Sequence, residues 1–116
     1  MTPSVQDCLG HIKDAILNIE SAVSGQSQES FADDLTRRAA VERWFEIISE
    51  ASRHLPPEIS RQAPDINWRR VADLGNWLRH AYHRTDARLL WVMVEEDLPV
   101  LKDFVGQELE KANSTS

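Results

Sequence analysis

The stretch PSVQDCLGHIKDAILNIESAVS, residues 3–24, decides the fold class. Its apolar positions are Val5, Leu9, Ile12, Ile16, Ile19 and Val23, separated by four, three, four, three and four residues. That rhythm keeps them on one stripe of an α-helix, whereas a strand facing a core needs every second residue. Pro3 suits the first helical turn, where its missing N–H is no loss. Gly25 stands where a helix end needs a residue tolerant of unusual backbone.

The same period recurs along the chain. Gln26 to Ser30 is a polar connection, with Ser30 placed to cap a brief turn through Phe31 and Asp34. A second long helix is expected from about Thr36, its N-cap, to Leu55, burying Val41, Trp44, Phe45, Ile48, Ala51 and Leu55. Pro56-Pro57 terminates it. Glu42, Glu46 and Glu50 recur every four residues beside Arg43 and Arg53, a pattern that suits a solvated face better than a metal site. Glu58 to Ile66 reads as an irregular loop. Asn67 then caps a third helix from Trp68 to about Tyr82, with Val71, Leu74 and Leu78 facing inward. A last segment from Thr85 places Leu90, Val94, Leu98, Leu101 and Val105 on one stripe, and Pro99 inside it is expected to kink or split the helix near Asp97. Asn113 to Ser116 reads as a frayed tail.

Nothing alternates with period two, and no glycine-rich phosphate loop is present. The expected architecture is all-α: one domain over residues 1–112, an up-and-down bundle of four to five helices, followed by a tail at 113–116. The stripes on the first and last helices are long for so small a bundle, which points to a homodimer. One cysteine, Cys8, excludes an internal disulfide and fits a reducing compartment; it reads as a small buried side chain. No apolar run approaches the roughly 20 residues that cross a bilayer, and no signal peptide is evident, so the expected location is cytoplasmic and off the membrane.

A net charge of −6 argues against coating nucleic acid by bulk electrostatics. The charge is uneven, however. Between Trp68 and Arg88, five arginines (Arg69, Arg70, Arg79, Arg84, Arg88) face two aspartates (Asp73, Asp86). This basic island suits one phosphate-bearing ligand, an ordinary solvated helix face being the other reading. Inside it runs Leu74-Gly75-Asn76-Trp77-Leu78-Arg79-His80-Ala81-Tyr82. Asn76 and His80 are four apart and share a helix face, as do Gly75 and Arg79. His80 titrates near neutrality and can pass a proton, Arg79 offers a donor fork that fits a phosphate, and Asn76 can fix the histidine's tautomer. Such a trio can move a proton and stabilise an anionic phosphorane without a metal. Taken alone, though, a histidine near a helix end is more often structural than catalytic. His11 and His54 stand isolated, His83 joins the island, and no metal-ligand or cofactor spacing is present.

The order Trp68, then Asn76-x-x-x-His80-x-Tyr82, then Asp86 to Trp91 and Asp97-Leu98-Pro99-x-Leu101, resembles the HepT-like HEPN family along nearly the whole chain. So does Glu50-Ala51 followed by Leu55-Pro56. The resemblance implies an all-helical homodimer and, in active members, a metal-independent endoribonuclease that is the toxin of a type VII toxin–antitoxin pair. The implied antitoxin is an MNT-type minimal nucleotidyltransferase, which in some systems attaches AMP to the motif tyrosine. By position, Tyr82 is that tyrosine and His80 the catalytic histidine, with Arg79 and Asn76 beside it. Arg69, Arg70, His83 and Arg84 are the candidate contacts to RNA phosphates. One position departs: the family's arginine commonly precedes the asparagine, and that place is Gly75. Two explanations for the glycine are Arg79 lying over a surface it leaves empty and close helix packing. A non-catalytic adaptor that binds a nucleotidyltransferase or a nucleotide through the same face is the alternative function.

Overall fold

The structure is a computed structural model that describes residues 4–78 and 84–114, without the side chains of 84–86 and 113–114. Among the described residues there are six helices and no strand: α1 (Val5–Val23), α2 (Gln28–Asp33), α3 (Leu35–Arg53), α4 (Pro57–Ser60), α5 (Trp68–Leu78) and α6 (Arg84–Ser114). The all-helical expectation holds. Four long helices carry the fold, and α2 and α4 are short additions.

The first five helices begin on local signals. Ser4 caps α1 by accepting the Asp7 N–H at 3.0 Å, and the Asp7 carboxylate accepts the Ser4 N–H in return. Gly25, at φ 77°, takes the left-handed conformation that ends α1 cheaply. Two caps fall earlier than the sequence suggested. Ser27, not Ser30, caps α2, because Ser30 sits three residues on and closes the box from inside the helix. Asp34, not Thr36, caps α3: its Oδ1 accepts the Arg37 N–H at 3.0 Å while Oδ2 meets Arg37 Nε at 3.1 Å, so one carboxylate satisfies backbone and side chain together. The expected loop after Pro56 opens with a turn of helix, because Pro57 occupies the first helical position, for which its ring is already set. Trp68 Nε1 then ties α5 to that segment by donating to the Ala63 carbonyl at 3.1 Å.

The predicted stripe of α1 is its buried face. Leu9, Ile12, Ile16 and Ile19 lie in the core with Cys8 and Ala15, while Val5 and Val23 pack at its edge. Helix α1 packs against α3 and α6, α3 packs in turn against α5, and α2 bridges α3 and α6. Phe31 of α2 is fully buried, its ring 5.5 Å from that of Trp91. Pro99 does not split α6, which is helical from Arg84 to Ser114. Pro99 is exposed, so its ring meets solvent, while Leu98 and Leu101 on either side are buried and hold both halves to one core. Helix α6 also runs two residues into the stretch expected as a tail. No described helix is long and apolar enough to cross a membrane.

Candidate active site

Helix α5 is the scaffold of the basic island. Asn67 starts it by accepting the Arg70 N–H at 3.0 Å, as the sequence suggested. Val71, Leu74, Gly75 and Leu78 form its buried face. Asn76 and Trp77 are exposed one step around the axis. Arg79, His80, Tyr82 and His83 lie outside the described residues, in the chain between the end of α5 and the start of α6, and with them the expected continuation of α5 to Tyr82. Arg84 opens α6.

The two earlier arginines behave differently from each other. Arg69 projects into solvent with its side chain 93% exposed, and Asp73 is 3.9 Å away. Arg70 Nη2 lies 3.0 Å from Asp97 Oδ2, an ion pair whose angles fall outside those of a hydrogen bond, and it links α5 to α6. Two adjoining pockets that share Arg70, Leu74 and Met93 form a cleft here: Trp77 and Leu89 line one, and Asp97, Leu98 and Leu101 line the other together with Phe45 and Ile48 of α3.

Helix α5 packs on α3 at Gly75. The fully buried Ser49 of α3 places its hydroxyl against α5, donating to the Ala72 carbonyl at 2.8 Å and accepting the Gly75 N–H at 3.1 Å. A Cβ on residue 75 would sit 2.9 Å from Ser49 Oγ and 3.2 Å from Arg53 Nη2. A larger residue at 75 would therefore force the Ser49 side chain or the helices to shift. The surface over Gly75 is occupied from α3, so the expectation that it stands empty for Arg79 is corrected: Ser49 and Arg53 fill it.

Arg53 is the residue that the sequence reading passed over as part of a solvated face. Its Nη2 donates to Ser49 Oγ at 3.4 Å, and the carboxylate of Glu50 is 3.9 Å away. The available signal was Ser49, a polar residue four positions after Phe45 on the buried face of α3, which calls for a polar partner. His54, read as isolated, has its Nε2 3.2 Å from Glu50 Oε1. Among the described residues no group of three His, Cys, Asp or Glu side chains is arranged to hold a metal ion. Cys8 is buried, and burial, with a smaller contribution from Asp7, pushes its thiol up, away from the reactive thiolate.

A small all-helical protein with a basic helix next to a histidine-bearing segment is the class these features define. The chain belongs to the ribonuclease HepT-like family, whose description fits residues 12–108. It is 41% identical over 102 residues to a Thermococcus cleftensis protein named "Probable ribonuclease HepT", covering 88% of this chain and 93% of that one. A "Putative RNase" of Caldanaerobacter subterraneus subsp. tengcongensis is 30% identical over 103 residues, covering 89% and 92%. A Methanocaldococcus jannaschii protein named "Gamma-glutamylcyclotransferase and putative RNase" is 31% identical over 111 residues; the match spans 96% of this chain and 50% of that longer one. No solved structure matches the chain.

Proposed function

We propose that the protein is a metal-independent endoribonuclease, the toxin of a HepT-type toxin–antitoxin pair. Membership of the ribonuclease HepT-like family carries this reading, and the Asn76-x-x-x-His80-x-Tyr82 motif names the residues. In the proposed reaction His80 takes the proton of a ribose 2′-hydroxyl. The 2′-oxygen then attacks the adjacent phosphorus, the bond to the 5′-oxygen breaks, and the leaving oxygen takes a proton. The products are a 2′,3′-cyclic phosphate and a 5′-hydroxyl. Arg79 stabilises the charge that develops on the phosphorane, and Asn76 orients His80. In a homodimer the second His80 supplies the departing proton. Arg69, Arg70, His83 and Arg84 hold flanking phosphates, for which Arg70 exchanges its Asp97 partner.

The test is cleavage of total cellular RNA by purified protein. Wild type is expected to leave cyclic-phosphate ends and His80→Ala none; equal action by both would discard the reading. The proposed antitoxin is an MNT-type nucleotidyltransferase that attaches AMP to Tyr82, and the pair works in the cytoplasm. Incubation with that enzyme and ATP should add mass in AMP steps, absent from Tyr82→Phe. Modification that persists in the phenylalanine variant would refute the assignment.

A further inference from the structure

We infer that Arg53 of α3 is an anion-binding residue of this site, and that it presents its guanidinium across the α3–α5 seam to a phosphate of the bound RNA. The inference rests on the ribonuclease reading for the identity of the ligand, and on the seam for the residue.

Three observations carry it. The first is placement: Arg53 Nη2 comes within 3.2 Å of where a Cβ on Gly75 would be, so the guanidinium sits directly on the helix that leads into the motif. Gly75 immediately precedes Asn76 and stands five residues before His80 in the chain. The second is orientation. The Ser49 hydroxyl has given its hydrogen to the Ala72 carbonyl and therefore faces Arg53 as an acceptor, holding Nη2 at 3.4 Å while also receiving the Gly75 N–H. A buried hydroxyl locked into two helices fixes one end of an otherwise flexible side chain, which lowers the entropy lost when a ligand binds.

The third is charge. Arg37 is held by Asp34, Arg43 by Glu46 at 3.4 Å and Arg70 by Asp97 at 3.0 Å. Arg53 approaches a carboxylate only at 3.9 Å, with its side chain 40% exposed. Of five donor hydrogens in a planar fork, Ser49 takes one. Four remain on a side chain that is 40% exposed, and a guanidinium fork matches two phosphate oxygens. Gly75 completes the arrangement, since a Cβ there would crowd both Ser49 Oγ and Arg53 Nη2.

The test measures binding separately from cleavage. The probe is a fluorescein-labelled 20-nucleotide single-stranded RNA, 2′-O-methylated throughout so that it cannot be cut, followed by anisotropy between low and moderate salt. Arg53→Ala should weaken binding several-fold at low salt and flatten the plot of log affinity against log salt by about 0.7, the loss of one phosphate contact on a single strand. Arg53→Lys should recover charge and slope but not full affinity, because the fork is lost. Arg43→Ala, a charge removed elsewhere on α3, should change neither. Arg53→Gln repeats the measurement with the side-chain length kept, should the alanine variant melt early. Unchanged affinity and slope in Arg53→Ala and Arg53→Gln would overturn the assignment, as would an equal loss in Arg43→Ala. Absence of RNA cleavage by wild type would sink the ribonuclease reading alone, since anisotropy decides Arg53 without it.

Discussion

The Gly75 amide donates to the Ser49 hydroxyl at 3.1 Å, so a hydroxyl buried in α3 is wired into the backbone of α5. The same hydroxyl donates to Ala72 at 2.8 Å. Two bonds of this kind, each contributing about 0.5–1.5 kcal/mol net, fix how deep α5 sits and how it is rotated. The position of Asn76 follows from that setting.

Gly75→Ala is expected to destabilise the protein by about 1 kcal/mol. Alanine gains about 1 kcal/mol of helix propensity over glycine. Its Cβ, however, would lie 2.9 Å from Ser49 Oγ, and overpacking of this sort costs about 1–3 kcal/mol. Combining it with Ser49→Ala removes the nearest clashing atom, so the double variant should be more stable than the two single losses summed. Urea unfolding of the four proteins checks both points. A higher midpoint for Gly75→Ala than for wild type would show the seam to be looser than the distances say.

Asn67→Ala should cost about 0.5–2 kcal/mol, the usual loss of an N-cap. Its side chain accepts the Arg70 N–H at 3.0 Å, at the start of the helix that carries the basic island. Asn67→Ser should recover most of the loss, since serine caps through the same bond. Thermal unfolding followed by circular dichroism reads both. Equal melting of the alanine variant and wild type would mean that α5 is held by packing on α3 alone.

The fold was legible where one residue decided a local matter. The stripe from Val5 to Val23 could only be a helix, and Asn67 could only start one. Cap positions slipped because neighbouring polar residues compete: Ser27 and Ser30, or Asp34 and Thr36, are equally able caps by residue type. Pro99 misled because the expected break ignores what holds the helix; burial of Leu98 and Leu101 outweighs one missing hydrogen bond. In the site, the motif residues can be named from the sequence because they are adjacent in it. Arg53 cannot, since it stands 22 positions before Gly75 and meets it only once α3 and α5 pack.

Stability should fall in acid partly through Asp34. The backbone N–H of Arg37 and then its side-chain hydrogen bond hold the Asp34 carboxyl below the usual carboxylate range. A folded-state value below the unfolded one means that the native state prefers the ionised form. The contribution is therefore complete above the ordinary aspartate value of about 3.9, and is lost as pH falls through the lowered folded value. Asp34→Asn keeps a capping oxygen but carries no charge. Its urea midpoint should decline less than that of wild type over this window, while the two stay parallel above about pH 5. Parallel curves throughout would remove Asp34 from the acid response.

The protein is expected to be a homodimer at micromolar concentration, joined along α5 and α6. These helices pack on different partners, α5 on α3 and α6 on α1. Between them lies the cleft lined by Leu74 and Met93, with Trp77 and Leu89 at its rim, 36% and 37% exposed, and Val100 farther along at 47%. Large apolar side chains gathered at one cleft are worth burying: at about 25 cal/mol per Å², a few hundred Å² of apolar area favours association by several kcal/mol before ordering costs. Light scattering should return twice the 13.3 kDa of one chain. The mass should hold as salt rises, because apolar contact is not screened. Trp77→Glu should halve it, whereas Leu35→Glu, which alters a 72% exposed leucine at the start of α3, should not. A monomer mass for wild type would refute the dimer, and a dimer that survives Trp77→Glu would move the contact away from this cleft.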